Sequence, residues 1–256
     1  MDIIVCVKRV AATDSRVKVA EDGASIDPAG AEFVINPYDE YAVEEALKTR
    51  DAQGEGTVTV VMLGDAAATE AKTCSTVLRD CLALGADKAV LLDTKGARHD
   101  AFSTATILAN WIGTVAHDFI FLGRQAVDSD DSQVPARVAT LLDMPCVTDV
   151  VELSIADGHC TAVRDIEGGR EKVRCATPAV ISSNKGLNEP RYANLKGIMA
   201  AKKKPTETID ADQIAAATTV TSISLPPERP PGRILGEGPG AVSALIEALQ
   251  NEAKVL

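Results

Sequence analysis

Aromatic residues are scarce. Phe, Trp and Tyr make up 3% of 256 residues, with a single Trp. A chain this poor in rings does not make a business of stacking bases, and its core must be built from aliphatic side chains. Positive charge is also short: 26 Lys and Arg stand against 37 Asp and Glu, for a net charge of −11. That balance argues against general binding to nucleic acid or to anionic membranes. The three histidines (His99, His117, His159) are scattered, and no two of the six cysteines form a C-x-x-C pair. A metal site needs clustered N or S ligands, so none is expected, and the cysteines read as reduced core thiols. Long apolar runs are missing too. The first run, IIVCV at Ile3–Val7, is too short for a signal-peptide core, and none reaches membrane-spanning length, so the expected location is cytoplasmic.

What is present is a hydrophobic fraction of 46%, rich in Ala and Val, with a mean hydropathy of +0.05. Short aliphatic runs alternate with longer helical patterns. IIVCV, TVTVVML (Thr57–Leu63), KAVLLD (Lys88–Asp93) and DFIFL (Asp118–Leu122) read as strands. Asn36 is a candidate cap, Pro37 suits a first helical position, and Asp39 and Glu40 suit the positive end of the dipole of a helix that Gly54 ends. Glu44 and Glu45 fall on its expected solvated face, with Glu44 in reach of Lys48. Ala67–Leu84, Ala101–Val115 and Ala136–Leu142 read as further helices, and SRVKVAEDGASID as a hairpin turning at Glu21–Gly23. The alternation specifies an α/β fold with a doubly wound parallel sheet. After Pro145, CVTDVVELSI, CTAVRDI, EKVRCA and AVISS suggest an antiparallel extension at its edge. A strand at Thr219–Leu225, a Pro-rich break PPERPPG and a helix at Ala241–Lys254 complete a tail that is either an arm docked on a partner or a free end.

Ligands of open parallel sheets lie beyond the carboxyl ends of the strands. Three such ends, Val7/Lys8, Leu63/Gly64 and Leu122/Gly123, together with Asn36–Asp39 and the loop GRQAVDSDDSQV, outline a nucleotide pocket, although every α/β domain has strand ends. Backbone N–H groups and Ser129, Ser132 and Gln133 suit a phosphate, whereas Asp128, Asp130 and Asp131 repel one. No phosphate-loop or dinucleotide fingerprint is present, and no nucleophile–base arrangement stands out, so no catalytic residue is assigned.

A second feature is LNEPRYANLKGIMAAKKKP (187–205). Six cations (Lys185, Arg191, Lys196, Lys202, Lys203, Lys204) face one anion, Glu189, across 185–205. Leu195, Ile198 and Met199 share one face at helical spacing. An apolar anchor with a basic rim is a docking device, and a solvated loop is the plain alternative.

VKRV after the first strand, NPYDEYAVEEAL, GRQAVDSD and above all LNEPRYANLKGIMAAKKK resemble the β subunit of electron transfer flavoproteins, over nearly the whole chain. The resemblance implies a Rossmann-like, mostly parallel core at 1–182, a partner-recognition loop at 183–205 and a C-terminal arm at 206–256 that reaches an α subunit. It implies AMP in this subunit, held by Cys6, Asn36, Pro37, Tyr38, Asp39, Leu63 and the loop Gly123, Arg124, Gln125, Ala126, Val127, Asp128, Ser129, Asp130, Asp131, Ser132, Gln133 and Val134. FAD belongs mainly to the α subunit, with Tyr38 near it. Leu195 is the implied anchor for acyl-CoA dehydrogenases, with Ile198, Met199, Arg191, Lys202, Lys203 and Lys204 around it. Electrons of fatty acid β-oxidation then pass through the FAD toward an electron transfer flavoprotein-quinone oxidoreductase, and the chain is an electron-carrier subunit rather than an enzyme.

Two positions depart from the family. Asp165 stands where better-known relatives carry a glutamate that helps hold the flavin domain, and Cys6 replaces a small alanine. One branch of the family binds a second FAD in place of AMP and bifurcates electrons from NADH. NLKGIMAAKKKP and the chain ending are more similar to the AMP-bearing branch, and a three-Asp loop accepts one phosphate more easily than a diphosphate. A stand-alone nucleotide-binding or nucleotide-hydrolysing α/β protein is the alternative of a different class.

Overall fold

The computed structural model describes residues 1–228 and 231–256, with the backbone alone for 68 and 69. Strand β1 (Asp2–Cys6) shows why the sheet is sandwiched. Ile3 and Val5 pack into one cluster and Ile4 and Cys6 into another, so both faces of the strand are covered. Short strands β2 (Arg9–Ala11), β3 (Lys18–Val19), β4 (Ile26–Asp27) and β5 (Phe33–Ile35) follow. The β3–β4 pair is the expected hairpin, and β2 pairs with β5.

Helix α1 (Pro37–Gln53) starts on proline and ends at Gly54, as its sequence indicates. Strand β6 (Thr57–Gly64), helix α2 (Ala68–Leu84) and strand β7 (Lys88–Asp93) continue the alternation. Helix α3 (Ala101–Ile112) stops three residues short of the expected Val115, at Gly113. Strand β8 (Phe119–Gly123) leads to helix α4 (Val134–Leu141), which begins two residues before the expected Ala136, with Pro135 in its first turn. Helices α1 and α2 bury Ala42, Val43, Leu47, Val77 and Leu78 on one face of the sheet. Helices α3 and α4 bury Ala105, Leu108, Ile112 and Val138 on the other. Each fully buried aliphatic side chain contributes about 1.5–3 kcal/mol.

Beyond α4 come β9 (Cys146–Ala156), β10 (His159–Ile166), β11 (Gly169–Ala176), β12 (Ala179–Ser183), helix α5 (Leu195–Ala201) and β13 (Thr206–Asp210). The nine-stranded sheet runs β11-β10-β9-β12-β8-β1-β6-β7-β13. It is doubly wound and mostly parallel, with β9, β10 and β11 as its antiparallel extension. AVISS is a correction to the expected edge: β12 lies inside the sheet, parallel to both β8 and β9. All five of its residues are buried, which its unbroken apolar start had already favoured.

Two further corrections concern the tail. Thr219–Leu225 forms no strand; its backbone link to the core is the Ile223 N–H to the Gly23 carbonyl. Conversely TETID, the first five residues of the expected arm, is edge strand β13, parallel to β7. Of PPERPPG, positions 229 and 230 lie outside the described residues. The terminal helix is composite: a 3-10 turn at Pro239–Ala241, α6 at Val242–Glu247, and a π-helical stretch at Ala248–Ala253.

Candidate functional site

Strands β1 and β8 are neighbours, yet their chains leave in opposite directions along the sheet, β1 toward β6 and β8 toward β12. That divergence opens a crevice at the carboxyl ends, the place where such sheets take ligands. A cavity of about 300 Å³ lies there.

Asp39 is its buttress. It is buried, and its Oδ1 accepts hydrogen bonds from the Asn36 side-chain amide (2.9 Å) and the Gly123 N–H (3.0 Å), its Oδ2 from the Lys8 N–H (2.7 Å). Burial pushes the carboxyl up to about 7, against the three donors, which favour its ionised form. Gly123 is dictated by this packing: a Cβ there would lie 2.3 Å from the Asp39 carboxylate and 2.7 Å from the Tyr38 Cβ. Asn36 does not cap α1 through its side chain. It donates to the Gln125 carbonyl (2.8 Å) and accepts from the Val127 N–H (3.1 Å), stitching the start of α1 to the loop after β8.

The three-aspartate difficulty resolves in part. Asp128 pairs with Lys8 Nζ at 2.7 Å, and Asp130 accepts from the Gln125 amide at 2.5 Å, while Ser132 donates back to Gln125 at 2.8 Å. Only Asp131 of the three lines the cavity. Of the other residues expected to hold a nucleotide, Cys6, Asn36, Asp39, Leu63, Gly123–Ala126, Ser129 and Ser132–Val134 do line it. Pro37, Tyr38 and Val127 stand behind the wall; the Tyr38 ring lies 5.7 Å from the Arg124 guanidinium. Burial raises the Cys6 thiol far above its ordinary value, so it is a neutral wall and not a nucleophile.

One wall was missed by the sequence reading. Thr94, His99, Asp100, Ala101, Thr104 and Leu108, from the end of β7 and the start of α3, line the cavity as well. The signal was available, because KAVLLD supplies a fourth strand end on the same rim. Asp100 Oδ1 accepts from the Ser103 N–H (2.9 Å) to cap α3, and its Oδ2 accepts from the Ala217 and Thr218 N–H groups (each 2.9 Å), fastening the tail to the rim. Among the described residues no three His, Cys, Asp or Glu side chains converge as metal ligands. Among the described residues no helix is long and apolar enough to cross a membrane.

The basic loop is a separate, firmly seated feature. Its stem is tied to α1: Arg191 makes a two-point ion pair with Glu44 (2.7 and 3.0 Å), and the Asn188 amide donates to Glu45 (2.9 Å). Glu44 and Glu45 are therefore buried, each 6% exposed, and not on a solvated face; it is Glu45 that meets Lys48. Lys204 Nζ donates to the Leu82 and Ala86 carbonyls (2.9 and 2.6 Å) at the end of α2, and burial lowers its pKa against the pull of Asp87. Two cations counted for the rim, Arg191 and Lys204, are thus committed inside the chain. Among the described residues Lys196, Lys202 and Lys203 make no ion pair. Leu195, Ile198 and Met199 point outward at 76%, 47% and 58% exposure. Asp165 sits far from this loop on β10, bonded to Arg170 across the hairpin at 3.0 Å.

Comparison with known proteins decides the kinship. The electron transfer flavoprotein domain model matches residues 24–214. The chain is 38% identical to the electron transfer flavoprotein subunit beta of Bacillus subtilis, over the whole of both chains. It is 37% identical to that of Syntrophomonas wolfei, over all of this chain and 98% of the relative, and 31% identical to that of mouse, over 98% of each. The chain belongs to the electron transfer flavoprotein family. The matched span of this flavoprotein chain runs from just before β4 to just after β13, so it takes in both the 123–134 loop and the seat of α5.

Proposed function

We propose that this chain is the β subunit of a heterodimeric electron transfer flavoprotein. It holds AMP in the cavity, supports an FAD carried mainly by an α subunit, receives electrons from acyl-CoA dehydrogenases and sends them toward a membrane quinone oxidoreductase. The observation that carries the reading is α5: three exposed apolar side chains on a helix too short to stand alone, packed on α2 with its stem clamped to α1, beside lysines that make no ion pair among the described residues, on a chain of net charge −11. A surface so held, yet uncovered, is built to meet another protein.

The cavity fits a mononucleotide. At about 300 Å³ it is at the lower end of small-molecule pockets, the range that suits one nucleotide. Leu63, Leu108, Leu122 and Ala126 offer apolar walls, and the start of α4 at Gln133–Val134 offers unpaired backbone N–H groups to one phosphate. AMP there supplies no redox chemistry, and FAD supplies the electron-carrying chemistry when bound in the heterodimer. This chain contributes position. Tyr38, flanked by Arg124, is its residue beside the flavin, Asp165 is its contact to the flavin domain, and the segment 206–256 is the arm to the α subunit. Cofactor extraction from the co-purified heterodimer tests the reading: about one FAD and one AMP per pair is expected. Two flavins per pair would replace AMP by the second FAD of the bifurcating branch.

A further inference from the structure

The wall formed by β7 and α3 holds a side chain for which the family reading has no use. His99 lines the cavity, and among the described residues neither of its ring nitrogens, both closed to solvent, has a hydrogen-bond partner. Leaving such a group unmet is costly, so buried polar atoms nearly always have a partner. His99 does not cap α3, since Asp100 does, and it makes no ion pair. Burial lowers its pKa against the neighbouring Asp100 carboxylate, which leaves a neutral ring with one N–H and one bare nitrogen.

The charges along the cavity orient its ligand. Lys8 and Arg124, and the start of α4, belong to the β1 and β8 end. His99 belongs to the segment between β7 and α3, and β7 is three places from β8 in the order β8-β1-β6-β7. A mononucleotide with its phosphate at the start of α4 turns its base toward β7, where a neutral imidazole beside a carboxylate suits an uncharged polar edge and repels a second phosphate. We infer that His99 reads the base of the bound nucleotide, its ring turning toward the cavity so that one nitrogen hydrogen-bonds to the polar edge of the purine. The inference rests on the proposed AMP reading.

The test uses the heterodimer stripped of nucleotide, with AMP and ribose 5-phosphate as probes in calorimetry. His99→Leu, similar in size but apolar, should weaken AMP binding about three- to tenfold. His99→Gln should recover part of the loss, and ribose 5-phosphate, which has no base, should bind all three proteins alike. In the wild type, the His99 ring-proton resonance should move with AMP and stay with ribose 5-phosphate, which tests the contact without any variant. Equal AMP affinity in wild type and His99→Leu, with an unmoved resonance, overturns the role of His99 and leaves the AMP reading standing. Equal losses for both probes overturn the assignment to the base. Failure of the wild type to bind AMP overturns the AMP reading, and this inference with it.

Discussion

Asp39 carries the site on a single buried carboxyl group. Its neighbours on α1 face the core, and its three donors come from the strand ends and the loop that make the cavity. Because its folded-state pKa is about 7, well above the ordinary 3.8, the folded protein holds a proton that the unfolded chain releases. The stabilisation is therefore complete below pH ~4 and is lost as pH rises to about 7, by up to roughly 4 kcal/mol. Asp39→Asn should abolish this component, so the wild type, the more stable of the two at pH 4, should lose its lead and fall below the variant as pH rises to 7. It should also destabilise at low pH by about 1–3 kcal/mol, because one amide N–H must then face a backbone donor. Denaturant melts at pH 4.5 and 7.5 measure both effects; parallel curves would show that Asp39 carries no such proton. The sequence marked Asp39 for the helix dipole and for the nucleotide pocket, but not as the buried acceptor that ties the strand ends together. Local rules also placed Glu44 beside Lys48, four residues on. Its true partner, Arg191, lies 147 positions away, at a separation to which helical spacing is blind.

At the scale of elements, alternation made most of the fold legible. β1, β6, β7 and β8 are unbroken aliphatic runs buried on both faces, and such runs announce themselves. The pattern failed where strands were not buried. TETID has a single apolar residue and is exposed except at Ile209, yet it completes the sheet because β7 leaves an open edge beside it. TVTSISL has the β-branched alternation of a strand, yet among the described residues it joins no sheet and touches the β3–β4 turn through a single backbone hydrogen bond, Ile223 to Gly23. Local propensity describes the strand, and only the fold decides which edges are free. Helix α5 depends on the same kind of non-local fact. A Cβ on Gly197 would lie 2.3 Å from the Ala83 carbonyl oxygen, so α5 packs backbone to backbone on α2. Gly197→Ala should push α5 off its seat at about 1–3 kcal/mol. Limited trypsin digestion should then cut at Lys202 and Lys203 faster than in wild type, while far-ultraviolet circular dichroism of the sheet stays the same. Unaltered digestion would mean that the helix tolerates the methyl group.

The whole molecule separates two tasks in space. The cavity lies at the carboxyl ends of the sheet, held by buried hydrogen bonds, whereas α5 projects its apolar face from the end of α2. The charge distribution separates them too, since Lys196, Lys202 and Lys203 form a basic island on an acidic chain. Proximity of charges governs the rate of encounter, and desolvation of an anchor governs how long the complex lasts. Leu195, at 76% exposure the most open of the three apolar side chains, is the expected anchor. Leu195→Ala should lower the efficiency of flavin reduction by an acyl-CoA dehydrogenase by about 30-fold, the 2 kcal/mol of a docking hot spot, with FAD content unchanged and with little dependence on salt. Lys202→Glu with Lys203→Glu should act differently: a modest loss at low salt that fades as ionic strength rises and the Debye length contracts toward 8 Å. Stopped-flow reduction across a salt series distinguishes the two. If Leu195→Ala reduces as fast as wild type at every salt concentration, α5 is not the docking surface, and the basic island is a solvated loop after all.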